Sequence, residues 1–126
     1  MKNFNDNYKA EVQEKWGKTE AYKEYSHKTS DYTEEKYSLL AEKMNDIFAE
    51  FAVCMKSGKK PDSDNAQSLV KKLQTFITEN YYTCTKEILS GLGQMYVLDE
   101  RFRTNIDKNA DGTAEYAGSA IRFYCG

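Results

Sequence analysis

The longest regular pattern in the chain runs through "TEEKYSLLAEKMNDIFAEFAVCMKSG", residues 33–58, where Tyr37, Leu40, Met44, Ile47, Phe48, Phe51 and Met55 recur at steps of three and four. That spacing lays one apolar stripe along a helix. Thr33 offers a side-chain oxygen to cap its start, and Gly58 can turn the chain at its end. "KKPDSD" carries the one proline and makes a turn, with Asp62 or Ser63 capping the next helix. The inner stripe of that helix is Ala66, Leu69, Val70, Leu73, Phe76 and Ile77. Cys54 falls beside the first stripe, as an inert buried thiol would. Thr85 caps a further helix with Ile88, Leu92, Met95 and Tyr96 facing inward. Asp99 caps a restart at "LDERF", and "EYAGSAIRFY" closes the chain with Tyr116, Ala120, Ile121 and Tyr124 inward. No stretch alternates apolar and polar residues long enough for a strand, so the predicted class is all-α.

Residues 1–32 differ. Tyr8, Val12 and Trp16 are spaced by four, and Tyr22 and Tyr25 follow a Thr19 cap, with Gly17 between the two short helices. Aliphatic residues are nearly absent there, and helices this short need tertiary support. Two expectations stand side by side: a loosely docked hairpin that lends Trp16 to the core, or a mobile lid that orders on a ligand.

Composition narrows the function. The chain has 126 residues, enough for one domain, and a net charge of -2, which lacks the basic footprint of a nucleic-acid binder. No apolar run reaches membrane-spanning length, and the N-terminus has no signal-peptide core, so a cytoplasmic protein without a membrane partner is expected. Ten tyrosines and six phenylalanines supply rings suited to core margins and half-wet clefts. Three cysteines without metal spacing read as reduced thiols.

Candidate chemistry is sparse. "DKNADG", residues 107–112, opens like a calcium-binding helix–loop–helix, with Asp107, Asn109 and Asp111 at ligand positions and Gly112 at the turn. Its twelfth position is Gly118, where a bidentate glutamate is required, and an interhelical turn explains the same residues. His27, the lone histidine, lies in a polar stretch and makes a poor haem ligand. Glu34/Glu35 and Asp99/Glu100 suit helix starts without forming a catalytic pair, so no enzyme and no cofactor are expected. Cys84 remains: placed just before a helix, with Lys86 near, it is either an acidified, reactive thiol or a small apolar residue packed under Tyr81 and Tyr82.

"EKWGKTEAYKEY", "YTEEKY", "PDSDNAQSLVKK" and above all "YTCTKEILSGLGQMYVLDERF" resemble the TipAS antibiotic-recognition domain family, from about Tyr8 to Ile121. Such domains typically form the C-terminal half of MerR-family drug-responsive activators. The resemblance implies a single globin-like helical domain over 1–126, with a core at 33–124, a ligand cleft, and an N-terminal helical lid at 1–32. It implies a peptide-like antibiotic ligand, notably a thiopeptide, in a cleft lined by aromatic and methionine side chains. The residues expected there are Trp16, Tyr22, Tyr25, Met44, Tyr81, Tyr82, Cys84, Met95 and Phe102. Some members capture the ligand covalently, a cysteine adding to a dehydroalanine, and Cys84 matches that cysteine's neighbourhood. The family often has proline before this cysteine, where this chain has Thr83. A MerR-type DNA-binding half does not precede residue 8, so the resemblance implies either an excised sensing domain or a free-standing one that sequesters the drug. The other function open to such a chain is a helical protein–protein interaction module.

Overall fold

A computed structural model describes residues 20–126 of the chain, and the described residues form six helices and no strand. They are α1 (Glu20–Lys28), α2 (Glu34–Lys56), α3 (Asp64–Asn80), α4 (Lys86–Leu98), α5 (Glu100–Asp107) and α6 (Thr113–Cys125). The predicted caps hold. The side chains of Thr33, Ser63, Thr85 and Asp99 each accept a backbone N–H of the helix they precede. Each satisfies one of the donors that a helix start leaves open, which is why these ends are legible from local sequence. Ser57 closes α2, and Gly58 follows at φ +81°, a left-handed turn that suits glycine. The first predicted short helix, with Tyr8, Val12 and Trp16, and the Thr19 cap lie outside the described residues.

α6 is the centre of the bundle and touches α2, α3, α4 and α5. The core joins Ile47, Phe48 and Phe51 of α2 to Val70, Leu73 and Ile77 of α3, Leu89 and Tyr96 of α4, and Ala117 and Ile121 of α6. Phe48 meets the Tyr96 ring edge-on at 5.3 Å between centroids, a favourable aromatic geometry. Cys54 is buried as expected, and the Tyr116 hydroxyl lies 3.2 Å from its Sγ while donating to the Lys59 carbonyl at 2.8 Å. Burial pushes the Tyr116 phenol well above its ordinary pKa, and the neighbouring thiol adds to that.

The inward stripe of α4 is shifted from the expected one. Leu89, Gly93 and Tyr96 are buried, while Ile88, Leu92 and Met95 sit half-buried at the margin. A glycine carries no weight in a hydrophobic pattern, yet Gly93 is where Ile121 rests on the α4 backbone. A Cβ there would stand 2.9 Å from Ile121 Cγ2. Gly118 of α6 makes the reciprocal approach, its hypothetical Cβ 2.5 Å from Val97 Cγ2 and 3.3 Å from the Gly93 carbonyl oxygen. Two helices therefore cross backbone to backbone at this pair.

Candidate functional site

Four of the nine expected ligand-binding residues meet where α1 lies against the connection between α3 and α4. The Tyr25 ring stacks on Tyr81 at 6.2 Å, meets Tyr82 edge-on at 6.5 Å and tilts against Tyr22 at 6.1 Å. Phe76 extends the group from α3 by its edge-on contact with Tyr81. All four tyrosines are half-buried, so the group is a partly wet aromatic surface rather than core. Met44, Met95 and Phe102 are also half-buried and, like Tyr81 and Tyr82, pack against the main core, Phe102 through the Tyr96 ring at 6.0 Å. Trp16 lies outside the described residues.

α1 is nine residues long, too short to stand alone. Polar bonds add to its aromatic contacts. Both oxygens of the Glu24 carboxylate accept from Thr83, one from the backbone N–H at 2.7 Å and the other from the hydroxyl at 2.8 Å. Those two bonds hold the Glu24 carboxyl below its usual pKa, the backbone N–H contributing most. Lys28 donates its ammonium to the Thr78 carbonyl at 2.7 Å, and Tyr32 donates its hydroxyl to the Asn80 carbonyl. Both acceptors belong to the last turn of α3, whose carbonyls have no intrahelical partner and favour a cation. Sequence reasoning missed Glu24 and Lys28 because, spaced by four on a helix, they look like a surface ion pair. Thr83 has a clear consequence too: proline at this position would bring no N–H to the Glu24 carboxylate.

Cys84 overturns one expectation. Thr85 is the cap of α4, so the thiol sits one residue outside the helix, and it is only 3% exposed. Burial pushes the Cys84 thiol up to about 11, with the nearby Cys125 acting in the same direction. Desolvation thus outweighs the field of the helix end, and the thiol is protonated at neutral pH. Its backbone is held from α3: the Cys84 N–H donates to Thr78 Oγ1 at 3.0 Å and Gln74 Nε2 donates to its carbonyl at 2.8 Å. Gln74 also accepts from the Tyr124 hydroxyl at 2.8 Å, tying α6 to the same point. Cys125 is the more open thiol. It donates to the Lys86 carbonyl at 3.2 Å, and the Lys86 charge offsets part of the upward push of burial on its pKa.

The calcium-like loop is spent on structure. Asp107 Oδ1 accepts the Ala114 N–H at 2.8 Å, which supplies α6 with the cap that Gly112, at φ +89°, does not. Asn109 donates to Asn45 across to α2, and Gly118 is inside the α4–α6 crossing. Among the described residues no cluster of three His, Cys, Asp or Glu could hold a metal ion. None of the described helices is long and apolar enough to cross a membrane. Two open grooves of about 610 and 620 Å³ run along the α2–α3 face, edged by Lys43, Glu50, Lys71 and Lys72 in one and Val53, Lys59 and Asp64 in the other. None of the expected ligand-binding residues lines either groove.

The comparisons agree with one another. A solved structure of TipAS from Streptomyces lividans in complex with nosiheptide, from work on a thiopeptide antibiotic multidrug resistance system, superposes with a TM-score of 0.85. It is 35% identical and covers 98% of this chain and 86% of that one. The HTH-type transcriptional activators TipA of Streptomyces coelicolor and of Streptomyces lividans are each 37% identical over 116 residues, 92% of this chain and 46% of theirs. The HTH-type transcriptional activator mta of Bacillus subtilis is 33% identical over 118 residues, 94% of this chain and 45% of its own. The chain thus spans about half the length of the curated relatives it matches. The sequence pattern of the TipAS antibiotic-recognition domain matches residues 8–124, nearly the whole chain. This chain belongs to the TipAS antibiotic-recognition domain family.

Proposed function

We propose that the chain binds peptide-like antibiotics of the thiopeptide class, reversibly and without catalysis, on the aromatic surface formed by Tyr22, Tyr25, Tyr81 and Tyr82. The observation that carries this reading is the meeting of those rings at the α1 junction, in a domain whose solved relative holds nosiheptide. Rigid, amphipathic rings give a large contact area at low entropic cost, and their hydroxyls stay wet while their faces pack. Met44, Met95 and Phe102 are proposed as the adaptable inner margin. The lid of residues 1–32 and the core of 33–124 are proposed as one domain, with α1 as the described part of the lid. In a longer regulator, binding would bias the DNA-activating state; a free-standing chain would sequester the drug.

Covalent capture is a second step of the same proposal. Cys84 thiolate would add to the β-carbon of a dehydroalanine: the C–S bond forms as the alkene π bond breaks, and the α-carbon takes up the proton the thiol gave. The closed, protonated thiol means that this step requires Cys84 first to be uncovered. Isothermal calorimetry with nosiheptide tests the binding reading. At 100 times its Kd the ligand should stabilise the fold by about 2.7 kcal/mol, and Tyr25→Ala should weaken binding at least about tenfold. No heat of binding and no stabilisation would refute the reading.

A further inference from the structure

We infer that Glu24 is the positioning residue of this surface: its two-oxygen grip on Thr83 sets where α1 sits, and with it the Tyr22 and Tyr25 rings. The use of that surface rests on the binding reading above, but the grip itself does not. Three features of the geometry carry the inference. First, both carboxylate oxygens are spent on one residue, at 2.7 and 2.8 Å, so the contact fixes orientation as well as distance. Second, Thr83 lies in the non-helical connection between α3 and α4, where its N–H has no ladder partner and takes the carboxylate instead. Third, the same connection is held from α3 through Thr78 and Gln74 at the adjacent Cys84. Thr83 is therefore a fixed anchor, and α1 is the part that can leave it.

Without the grip, the segment keeps its ring contacts and two bonds to single carbonyls at the end of α3, from Lys28 in α1 and from Tyr32 just after it. Those two contacts lie on the C-terminal side of Tyr25. Glu24 is next to Tyr25 and two residues from Tyr22, so its loss loosens the seating of those rings against Tyr81 and Tyr82. Glu24 touches no ligand in this scheme; it acts through the tyrosines.

Hydrogen exchange on the full chain tests this without any antibiotic. Glu24→Ala should speed exchange of the amides of residues 22–28 by about tenfold, and Glu24→Gln, which keeps one acceptor oxygen, should lie between it and the parent. Thr83→Pro, which removes both donors, should match Glu24→Ala. Amides of residues 40–52 should be unchanged in all three. Equal exchange of α1 in parent and Glu24→Ala overturns the inference, as does an equal acceleration of residues 40–52, which would mark general loosening. Nosiheptide titration then separates this idea from the binding reading. A parent chain that does not bind sinks the binding reading and leaves the exchange result standing. A parent that binds, with Glu24→Ala binding equally well, overturns the positioning role.

Discussion

Substituting alanine at two glycines should stabilise the fold at one and not at the other, and the contrast isolates the α4–α6 crossing. Gly91 lies inside α4 with nothing within 4 Å of where a Cβ would be placed. Gly91→Ala should therefore gain the helix-propensity difference, about 1 kcal/mol. Gly118→Ala receives the same propensity gain but puts its Cβ 2.5 Å from Val97 Cγ2. Valine in a helix has one strongly preferred rotamer, so it cannot swing aside, and the Gly93 carbonyl oxygen at 3.3 Å blocks the other direction. Overpacking of this kind costs about 1–3 kcal/mol, so Gly118→Ala should lie about 1–3 kcal/mol below Gly91→Ala. For a chain of this size each kcal/mol is roughly 4 °C in Tm. Urea unfolding with a shared m-value reads the difference directly. Val97→Ala in the Gly118→Ala background should recover at least about 1 kcal/mol, a coupling that independent sites would not show. If Gly118→Ala stabilised the fold as much as Gly91→Ala, the close crossing would be wrong.

Other outcomes can be checked separately. Glu24 has a depressed pKa in the docked state, so its contribution is present above its undocked value, near 4.5, and is lost as pH falls through the lower docked one. Lys28 on its own helix and the neutral Thr83 opposite are its neighbours, so tyrosine near-ultraviolet dichroism should fade below about pH 4.5 in the parent and show no such step in Glu24→Gln. Asp99→Ala removes the cap of α5 and the bond from Arg101, and should cost about 1 kcal/mol by chemical denaturation; a change under 0.3 kcal/mol would count against the cap. With iodoacetamide near neutral pH, Cys125 should be alkylated faster than Cys84 or Cys54, mapped by peptide mass, because it is the least buried thiol. Cys84 reacting first would refute the closed-thiol account. Calcium at millimolar concentration should leave Tm unchanged, since Asp107 already caps α6 and position twelve is Gly118; a rise abolished by Asp107→Ala would reverse that view.

What the sequence made legible was local. Thr33, Ser63, Thr85 and Asp99 cap helices through bonds to residues two or three positions on, so their roles are written within one turn. The α2 and α3 stripes were legible because large side chains mark them. The register of α4 was not, since the decisive residue, Gly93, has no side chain to count. For Cys84 the local sequence leaves both an acidified and a packed thiol open, and only the tertiary burial decides for the packed one. The tyrosine surface joins residues 22 and 25 to 81 and 82, a pairing that no local pattern encodes. Glu24 was invisible for the same reason, its partner Thr83 being 59 positions away.

The bonds that tie Cys84 to α3 run through its backbone: its N–H to Thr78 and its carbonyl to Gln74. Any residue other than proline presents those same two groups, so α3 would guide the chain through position 84 by the same two bonds for any side chain small enough for the buried site. Serine or alanine there would keep both backbone bonds while giving up the packing of a side chain only 3% exposed. The course of the main chain at this point is thus set by α3, while the reach of the thiol itself is set by the burial around it.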